Sequence, residues 1–330
     1  MKNTVLITGG CGFIGLNLVS SLLEKTEWTI HVLDNLSTGK QEHLERLTGY
    51  SSDRIHFFKG DIRKVDEVQQ AMKNSTFVVH LAAQTDVMTS IEHPLEDAQI
   101  NILGTINVLQ AAIEAEVQRF VFASSAAPLG EQTPPVHEGM VAKPLSGYGA
   151  SKLSGEAYCS CFAATHDITT VALRFSNVYG PYSYHKGSVI AAFIKDMISG
   201  RQSVIYGDGA QTRDFIHAQD IAHAIYLSLT KQVDNSYSLY QIGSGQETTI
   251  NQVYTFIAQQ FLQEGIASKT PQYIDKRPGE IYRNYCSIQK IKKELGFSPS
   301  IPLTDGIEET IQWFLQYNEQ PQLKNSIQSS

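Results

Sequence analysis

Tyr148 and Lys152 are the two residues of this chain whose types and spacing most directly indicate catalysis. They stand four residues apart at the start of a predicted helix, YGASKLSGEAYCSCFAATH, so their side chains share one helix face. A free phenol has a pKa of about 10 and is a poor base at neutral pH. A nearby ammonium group favours the phenolate, and we therefore expect Lys152 to lower the pKa of Tyr148. Alone, this spacing is typical of a solvated helix face. Motifs elsewhere in the chain must therefore indicate whether the two residues are catalytic.

A glycine-rich turn near the start of the chain predicts a dinucleotide site. Gly9, Gly12 and Gly15 follow an apolar strand and open a helix, which places backbone N–H groups against a pyrophosphate. Asp34 ends the next strand, where a carboxylate binds an adenosine ribose and repels a 2′-phosphate, so NAD is favoured over NADP. The alternative for Asp34 is a turn residue. Asp61 ends the third strand and either holds the adenine edge or is an ordinary polar strand end.

Composition excludes several functional classes. The 330 residues are 42% hydrophobic and 18% charged, with a net charge of −7, which gives no electrostatic footprint for nucleic acid. No apolar run approaches the roughly 20 residues of a membrane span, and MKNTVLITGG does not resemble a signal peptide. The four cysteines form no CxxC pair and no histidine cluster has metal-ligand spacing. We expect reduced thiols, no metal and a cytoplasmic protein.

Strand-like apolar runs alternate with helix-like segments through the first half of the chain, including helices over 95–115 and 148–165. This rhythm predicts an α/β fold, a Rossmann-like, doubly wound parallel sheet with helices on both faces. Beyond residue 180, the segments SVIAAFIKDMISG, QSVIYGDGAQTRDFIHAQDIAHAI and SLYQIGSG look like a second, smaller α/β region. We predict a dinucleotide-binding domain over 1–180 and a substrate domain over 181–330, with 213–230 as a candidate to return to the first domain.

With these residues in place, the chain resembles the extended short-chain dehydrogenase/reductase family, and within it the nucleotide-sugar epimerases. The resemblance covers nearly the whole chain and rests on motifs in one order: Thr8 to Gly15, Asp34-Asn-Leu-Ser-Thr-Gly39, Gly60-Asp61-Ile62, His80-Leu-Ala-Ala-Gln84, Ser124-Ser125, Tyr148 to Lys152, Arg174-Phe-Ser-Asn-Val-Tyr-Gly-Pro181, Gly207-Asp-Gly209, Arg213-Asp-Phe215 and Arg277-Pro-Gly-Glu280. It implies NAD-dependent C4 epimerisation of a UDP-hexose through a transient 4-keto sugar. The UDP moiety, and a homodimer formed through the 95–115 and 148–165 helices, are implied by the resemblance alone.

The resemblance implies a role for each matching residue. Tyr148 is the acid/base on the sugar 4-hydroxyl, Lys152 holds the nicotinamide ribose, and Ser125 hydrogen-bonds the same oxygen as Tyr148. The implied NAD contacts are Gly9, Gly12, Phe13, Ile14, Gly15, Asp34, Asn35, Ser37, Thr38, Gly39, Asp61, Ile62, Leu81, Ala82, Ala83, Gln84, Asn101, Ser124, Tyr148, Lys152 and Phe175. The implied substrate contacts are Ser125, Tyr148, Asn177, Val189, Tyr206, Arg213, Arg277 and Asn284. Arginine suits a diphosphate because its planar fork binds phosphate oxygens bidentately, although a surface ion pair is the alternative for either arginine.

Two alanines separate this chain from other activities of the family. The resembling 4,6-dehydratases carry an Asp-Glu pair after their catalytic hydroxyl residue, and decarboxylases need a glutamate there, whereas this chain has Ala126 and Ala127. A 4-keto-sugar reductase or a UDP-glucuronate 4-epimerase would use the same Ser-Tyr-Lys set, but reductases commonly prefer NADPH, which Asp34 disfavours. A non-catalytic nucleotide sensor would not need all three residues. The usual Tyr-Gly pair after the serine is Leu129-Gly130 here, at a position that we expect to pack.

One position bears on the sugar. In the epimerases that this chain resembles, the seventh residue after the arginine of the Arg-Pro-Gly segment lines the C2 side of the sugar. A tyrosine there restricts the enzyme to glucose and galactose. Counted from Arg277, the position is Asn284, which is smaller and can donate a hydrogen bond to an acetamido carbonyl. We predict action on UDP-GlcNAc and UDP-GalNAc alongside UDP-Glc and UDP-Gal, the alternative being that Asn284 faces solvent beside Arg283.

Overall fold

The computed structural model describes residues 3–276 and 281–319. The strands are β1 (Thr4–Thr8), β2 (Thr29–Asp34), β3 (Ile55–Lys59), β4 (Phe77–His80), β5 (Arg119–Ser125), β6 (Thr169–Phe175), β7 (Asn177–Tyr179), β8 (Val204–Tyr206), β9 (Thr212–Arg213), β10 (Phe215–His217), β11 (Tyr237–Ile242), β12 (Thr248–Thr249) and β13 (Gln272–Ile274). The helices are α1 (Phe13–Lys25), α2 (Gln41–Glu45), α3 (Val65–Met72), α4 (Val87–Glu92), α5 (Pro94–Ala98), α6 (Gly104–Glu114), α7 (Gly147–Thr165), α8 (Val189–Ile198), α9 (Ala218–Thr230), α10 (Ile250–Gln263), α11 (Gln289–Leu295) and α12 (Leu303–Glu319). A π-helix, Gln99–Leu103, joins α5 to α6 within the helix predicted over 95–115, and a 3₁₀ turn, Ala127–Leu129, follows β5.

Seven strands form one parallel sheet in the order β11-β6-β5-β4-β1-β2-β3. The order reverses between β1 and β4, which are neighbours in the sheet although two strands separate them in sequence. At such a switch point the chains leaving the two strands diverge and open a crevice at the carboxyl edge of the sheet. The predicted Rossmann-like, doubly wound sheet is confirmed.

Helices cover both faces of this sheet. Successive strand residues point to opposite sides, so Val5 and Ile7 of β1 pack with α1 and α9, while Leu6 packs with α3, α6 and α7. Helix α7 packs closely against β5 at Gly155, where a Cβ would come within 2.3 Å of the Phe122 ring. This close approach brings the start of α7 to the carboxyl end of β5.

A second apolar core lies outside the main sheet. It joins α8, α10 and α12 to the short strands β8 and β10. The strands of this region pair two by two: β10 with β7, β12 with β9, and β13 with β8. Three of the predicted substrate residues, Asn177, Tyr206 and Arg213, lie on these short strand pairs.

One segment lies elsewhere than its sequence suggests. We predict SLYQIGSG in the second region, but Tyr237–Ile242 forms β11, an edge strand of the main sheet that pairs in parallel with β6. The prediction is wrong because an apolar run indicates a buried strand without indicating which sheet it joins. Helix α9 packs against α1 on the main sheet, consistent with the return of 213–230 to the first domain. The division at residue 180 itself stays a prediction.

Candidate active site

Glycines allow the backbone to pack closely at the turn after β1. Gly9 has a φ of +71°, and a Cβ there would lie 2.7 Å from the backbone nitrogen of Ala82. A Cβ on Gly15 would lie 2.4 Å from the carbonyl oxygen of Gly9. Helix α1 begins after Gly12, which offers its first-turn N–H groups no side-chain cap. A helix N-terminus of this kind suits a phosphate group.

Asp34 lies at the end of β2 beside this turn. Its buried carboxylate accepts hydrogen bonds from the backbone N–H groups of Cys11, at 3.0 Å, and Leu36, at 2.8 Å. Burial raises the pKa of Asp34, and the two hydrogen bonds oppose that rise. The carboxylate is thus held next to the glycine turn, where the ribose of a dinucleotide is expected.

Asp61, predicted at the adenine edge, is paired within the protein. Arg63 Nη2 lies 2.7 Å from its carboxylate, and Asn35 Nδ2 donates to it at 3.1 Å. The hydrogen-bonded Arg63 guanidinium holds the pKa of Asp61 well below its ordinary value. Asn35 and Asp61 thereby join the ends of β2 and β3, and their contacts with NAD stay predictions.

His80 anchors β4 to its neighbours. Its Nδ1 lies 2.7 Å from Thr8 Oγ1 and its Nε2 lies 3.0 Å from Thr105 Oγ1. Burial, with a smaller effect of the Lys152 charge, lowers the pKa of His80 to about 3, so the ring is neutral. Thr8 Oγ1 also accepts from the Ala82 N–H at 3.2 Å, which shapes the segment leaving β4. His80 is therefore a structural residue of the predicted NAD site.

A polar network connects the end of β4 to α7. Asn101, in the π-helix, accepts from the Gln84 N–H at 2.9 Å, and its Nδ2 lies 3.0 Å from the Asp97 carboxylate and 3.1 Å from Ser151 Oγ. The sequence indicates Asn101 and Gln84 but misses Asp97 and Ser151. Ser151 lies on α7, far from Asn101 in sequence, so this contact depends on long-range packing that a single segment does not show.

Ser125, Tyr148 and Lys152 come together at the carboxyl edge of β5. Ser125 ends β5, and Ser146 caps the N-terminus of α7, so Tyr148 and Lys152 occupy the first turns of that helix. The Ser125 hydroxyl hydrogen-bonds the half-buried Tyr148 phenol. Lys152 is buried, its Nζ lies 5.9 Å from the Tyr148 ring centroid, and it donates to the Ala123 carbonyl at 2.8 Å.

The predicted effect of Lys152 on Tyr148 is wrong in this structure. Burial raises the pKa of Tyr148, the hydrogen bond with Ser125 partly lowers it, and the Asp97 charge raises it further. Lys152 is not among the groups that shift the pKa of Tyr148, since its ammonium is directed at a backbone carbonyl. Burial also lowers the pKa of Lys152 itself to about 8.

A buried ion pair lies behind the catalytic residues. Glu156, one turn after Lys152 on α7, faces Arg174 of β6 with N–O distances of 2.8 and 2.7 Å. The Ser124 hydroxyl donates to the same carboxylate at 2.5 Å. Ser124 and Phe175, both predicted NAD contacts, are buried. Because the Ser124 side chain is turned toward Glu156, only its backbone is left for a cofactor.

Asn177 and Arg213, the predicted diphosphate residues, are brought together around Asp214. Asn177 Nδ2 lies 3.3 Å from the Asp214 carbonyl oxygen. The Asp214 carboxylate accepts from the N–H and the hydroxyl of Ser244, both at 2.7 Å, which fixes the loop after β11 to β9 and β10. Arg213 Nη1 donates to the Ile281 carbonyl at 2.8 Å, close in sequence to Asn284. The sequence misses Asp214 as the centre of this arrangement.

The remaining predicted substrate residues come from separate elements. Val189 begins α8 and Tyr206 ends β8. Asn284 is half-buried and forms no hydrogen bond with the residues that the structure describes. Arg277 lies outside the described residues, so its phosphate contact stays a prediction.

The turn after the catalytic serine packs as expected. Leu129 is buried against Val136 and Cys286. Ala126 and Ala127 are half-buried beside Ser125, and their methyl groups offer no acid or base. The departure from the usual Tyr-Gly pair therefore changes local packing at a position that carries no chemistry of its own.

Neither a metal cluster nor a membrane helix is found in the described parts of the chain. No group of three or more His, Cys, Asp or Glu residues there could hold a metal ion. Within 3–276 and 281–319, every helix is too short or too polar to cross a membrane. The four cysteines are free thiols, of which Cys161 alone is exposed.

The chain is similar to nucleotide-sugar enzymes over almost its whole length. The model of the family described as NAD dependent epimerase/dehydratase matches residues 5–243. A putative UDP-glucose 4-epimerase of Methanocaldococcus jannaschii is 37% identical over 319 residues, 95% of this chain and 99% of that protein. A UDP-N-acetylglucosamine 4-epimerase of Methanobrevibacter ruminantium, solved with UDP-N-acetylmuramic acid, has a TM-score of 0.87 and 32% identity over 96% of this chain and 99% of that one. A dTDP-glucose 4,6-dehydratase of Streptomyces niveus is 32% identical over 319 residues, 94% of this chain and 92% of that protein.

Proposed function

We propose, from the premise that this chain belongs to the NAD dependent epimerase/dehydratase family, that it epimerises a UDP-hexose at C4. One observation carries the proposal. Ser125, Tyr148 and Lys152 meet at the edge of β5, while the two residues that follow the serine, Ala126 and Ala127, supply no second acid or base. This set of groups can move the proton of one sugar hydroxyl and can do little else. Epimerisation through a 4-keto sugar needs no more than that.

The cofactor of this family is NAD, and the residues present fit it. Gly9 and Gly15 stand where a Cβ would clash with neighbouring backbone atoms, which keeps the turn tight beside the N-terminus of α1, where no side chain caps the first N–H groups. Asp34 stands beside that turn with its carboxylate oriented by two backbone N–H groups. When bound, NAD supplies the hydride acceptor and donor, together with a positive charge that favours the Tyr148 phenolate.

Tyr148 is proposed to remove the proton of the C4 hydroxyl and later to return it. The Ser125 hydroxyl, already hydrogen-bonded to the phenol, shares the same substrate oxygen and holds it in line with Tyr148. Lys152 is buried beside both, and we assign it to the nicotinamide ribose. Positioned proton transfer of this kind contributes roughly 10²- to 10⁴-fold to rate.

We assign the diphosphate to Asn177 and Arg213, with Arg277 as a predicted third contact. Asn177 and Arg213 lie on either side of Asp214, whose hydrogen bonds to Ser244 keep them in a fixed relation. Epimerisation requires the flat 4-keto sugar to present its other face while its diphosphate stays bound. A rigid diphosphate site separated from the catalytic helix allows that rotation.

The identity of the sugar is the finer part of the proposal. Asn284 is half-buried and has no hydrogen-bond partner among the described residues. Its side-chain amide can therefore bind the acetamido group of a substrate. We therefore propose that UDP-GlcNAc and UDP-GalNAc are accepted with UDP-Glc and UDP-Gal. A 4-ketoreductase is disfavoured by Asp34, and a non-catalytic sensor by the complete catalytic set.

We further propose that the protein is a homodimer. Leu95 of α5 is 80% exposed and Leu103 of the π-helix is 55% exposed, on the helical stretch that the family resemblance places at the interface. Single exposed leucines are common on protein surfaces, so the family resemblance carries this proposal and the two leucines supply the positions at which to test it.

The test is incubation of the purified protein with single UDP-sugars, followed by NMR identification of the products. We expect each accepted sugar to be converted to its C4 epimer without net oxidation of NAD. Tyr148→Phe removes only a hydroxyl and should lower turnover by roughly 10²- to 10⁴-fold while the fold persists. Loss of water from the sugar, or Tyr148→Phe turnover near the wild-type rate, would contradict the proposal.

A further inference from the structure

The segment 181–186, which follows β7, is attached on both sides of the crevice at the switch point of the sheet. At one end, the Pro181 carbonyl accepts a hydrogen bond at 3.0 Å from Asn17 Nδ2 of α1. At the other end, Lys186 Nζ donates to Thr85 Oγ1, in the loop after β4, at 3.0 Å. Helix α1 follows β1, and the crevice opens between β1 and β4. The 181–186 segment therefore crosses the crevice in which a dinucleotide is expected.

The segment begins beside the glycine turn. Asn17 Nδ2, which binds its first carbonyl, also donates to the Phe13 carbonyl at 2.9 Å. Phe13 is the first residue of α1, whose N-terminus suits a phosphate group. The loop before α2 packs against the same turn, because a Cβ on Gly39 would lie 2.5 Å from the Cys11 carbonyl oxygen. The segment and this loop thus both adjoin the predicted positions of the pyrophosphate and the ribose.

An aromatic cluster fastens the segment to two helices. The centroid of the Tyr182 ring lies 5.9 Å from that of His43 on α2 and 5.0 Å from that of Trp313 on α12. Tyr317 of α12 stacks on Trp313 at 5.0 Å and contacts the His43 ring at 5.7 Å. Tyr184, two residues after Tyr182, contacts the Tyr317 ring at 4.8 Å. Helix α12 thereby holds the segment and α2 together, although no member of this cluster is among the NAD contacts predicted from the sequence.

Tyr182 makes these contacts in a strained backbone conformation. Its φ is +68°, in the left-handed region that a bulky residue rarely adopts and a glycine adopts freely. Such residues persist only where surrounding contacts hold them, and they are frequent at ligand clamps and switch segments. The backbone of Tyr182 therefore favours release of the segment, whereas its ring contacts favour attachment.

We propose that the 181–186 segment is a gate for NAD, which opens when the Tyr182 ring leaves the aromatic cluster and otherwise closes the crevice over the cofactor. The inference goes beyond the proposed function, because it concerns NAD, the cofactor of the family, and not the sugar. Closure of this kind retains a cofactor that must serve successive turnovers. A gate hinders entry as well as exit, which distinguishes it from a residue that only contacts NAD.

The experiment measures how fast labelled NAD binds to the NAD-free protein and how fast an excess of unlabelled NAD then replaces it. Tyr182→Gly removes the ring while permitting the same φ, so the fold should persist. We expect this variant to raise both rates at least about tenfold, because two ring contacts are lost, and to change the Kd for NAD less than about threefold. Trp313→Leu should act in the same direction, because Trp313 lies on α12 and acts on NAD through the segment and α2.

Tyr254→Leu is the control for a general loss of stability. Tyr254 belongs to the second apolar core, where its ring lies 5.5 Å from the Phe193 ring. This variant should lower the melting temperature and leave both NAD rates unchanged. Faster exchange of NAD in Tyr254→Leu would assign the effect to destabilisation and overturn the proposal.

Two further outcomes for Tyr182→Gly would overturn it. Faster release with unchanged entry would make Tyr182 a direct contact of NAD, and wild-type rates in both directions would show that the segment does not hinder NAD. No sugar is present in this assay. A protein that shows the gate and converts no UDP-sugar would therefore refute the proposed function and leave this inference standing.

Discussion

Removal of either partner of the Glu156–Arg174 pair should strongly destabilise the protein. Both side chains are 4% exposed and their closest N–O distance is 2.7 Å. At that distance, with an effective dielectric constant of about 20, the attraction is about 6 kcal/mol, which the desolvation of two ions largely offsets. Glu156→Gln removes the attraction but leaves the Arg174 charge desolvated, so we expect a loss of about 3–5 kcal/mol of unfolding free energy. For a domain whose total stability is about 5–15 kcal/mol, that loss is large.

The assay is chemical and thermal denaturation of matched variants. Glu156→Gln should lower the midpoint by on the order of 5–10 °C. The double variant Glu156→Leu, Arg174→Met should recover much of the loss, because apolar residues of similar volume leave no buried charge. Arg283–Glu247 is the control: its N–O distance is also 2.7 Å, but Arg283 is 51% exposed, so Arg283→Met should leave the midpoint almost unchanged. Similar costs for Glu156→Gln and Arg283→Met would refute the reasoning, since burial would then have no effect.

Four further predictions concern the cofactor, the sugar, pH and assembly. Asp34→Ala should weaken NAD binding by about 1.5–3 kcal/mol and relax discrimination against NADP, as measured by calorimetry; a wild-type preference for NADP would contradict the assignment. Asn284→Tyr should lower kcat/KM for UDP-GlcNAc far more than for UDP-Glc through steric exclusion, and equal losses would remove Asn284 from the specificity argument. Burial lowers the pKa of Lys152 to about 8 from 10.5 in the unfolded chain, so unfolding takes up a proton in that window and the contribution of Lys152 to stability increases as pH rises through it. Lys152→Met should accordingly stabilise the NAD-free protein at pH 7 by up to about 3 kcal/mol and lose that gain toward pH 10.5, and a gain independent of pH in denaturation curves would show that Lys152 is not the titrating group. Leu95→Glu should convert a dimer to monomers in analytical ultracentrifugation, whereas a monomeric wild type would rule out the proposed assembly.

Local periodicity predicts the elements of the first domain well and their assembly less well. The runs TVLIT, RFVFASS and TTVALRF coincide with β1, β5 and β6, because these strands are largely apolar on both faces. The strand with which β11 pairs depends instead on where α9, which precedes it, ends relative to the sheet. That information lies in long-range packing, which a single segment does not contain.

The spacing of Tyr148 and Lys152 can be predicted because it is local, whereas the pKa of Tyr148 cannot. Tyr148 and Lys152 share a helix face, and four residues of sequence suffice to predict that. The pKa of Tyr148 depends on its burial, on Ser125 from another strand and on Asp97 from another helix. A rule that an adjacent lysine lowers a tyrosine pKa fails here because Lys152 is itself desolvated and is bound to a carbonyl group.

Under the proposed function, Ala126 and Ala127 determine which reaction follows oxidation of the sugar, and their position beside Ser125 explains why. The Ala126 N–H donates to the Phe175 carbonyl at 3.1 Å and the Ala127 N–H donates to Ser125 Oγ at 3.2 Å, so both backbones are fixed beside the catalytic serine. In the dehydratases that this chain resembles, carboxylic side chains in this stretch remove the C5 proton and the C6 hydroxyl. A methyl group can do neither. Relatives named as 4,6-dehydratases share the family with this chain, for which we propose reduction of the 4-keto sugar on its other face.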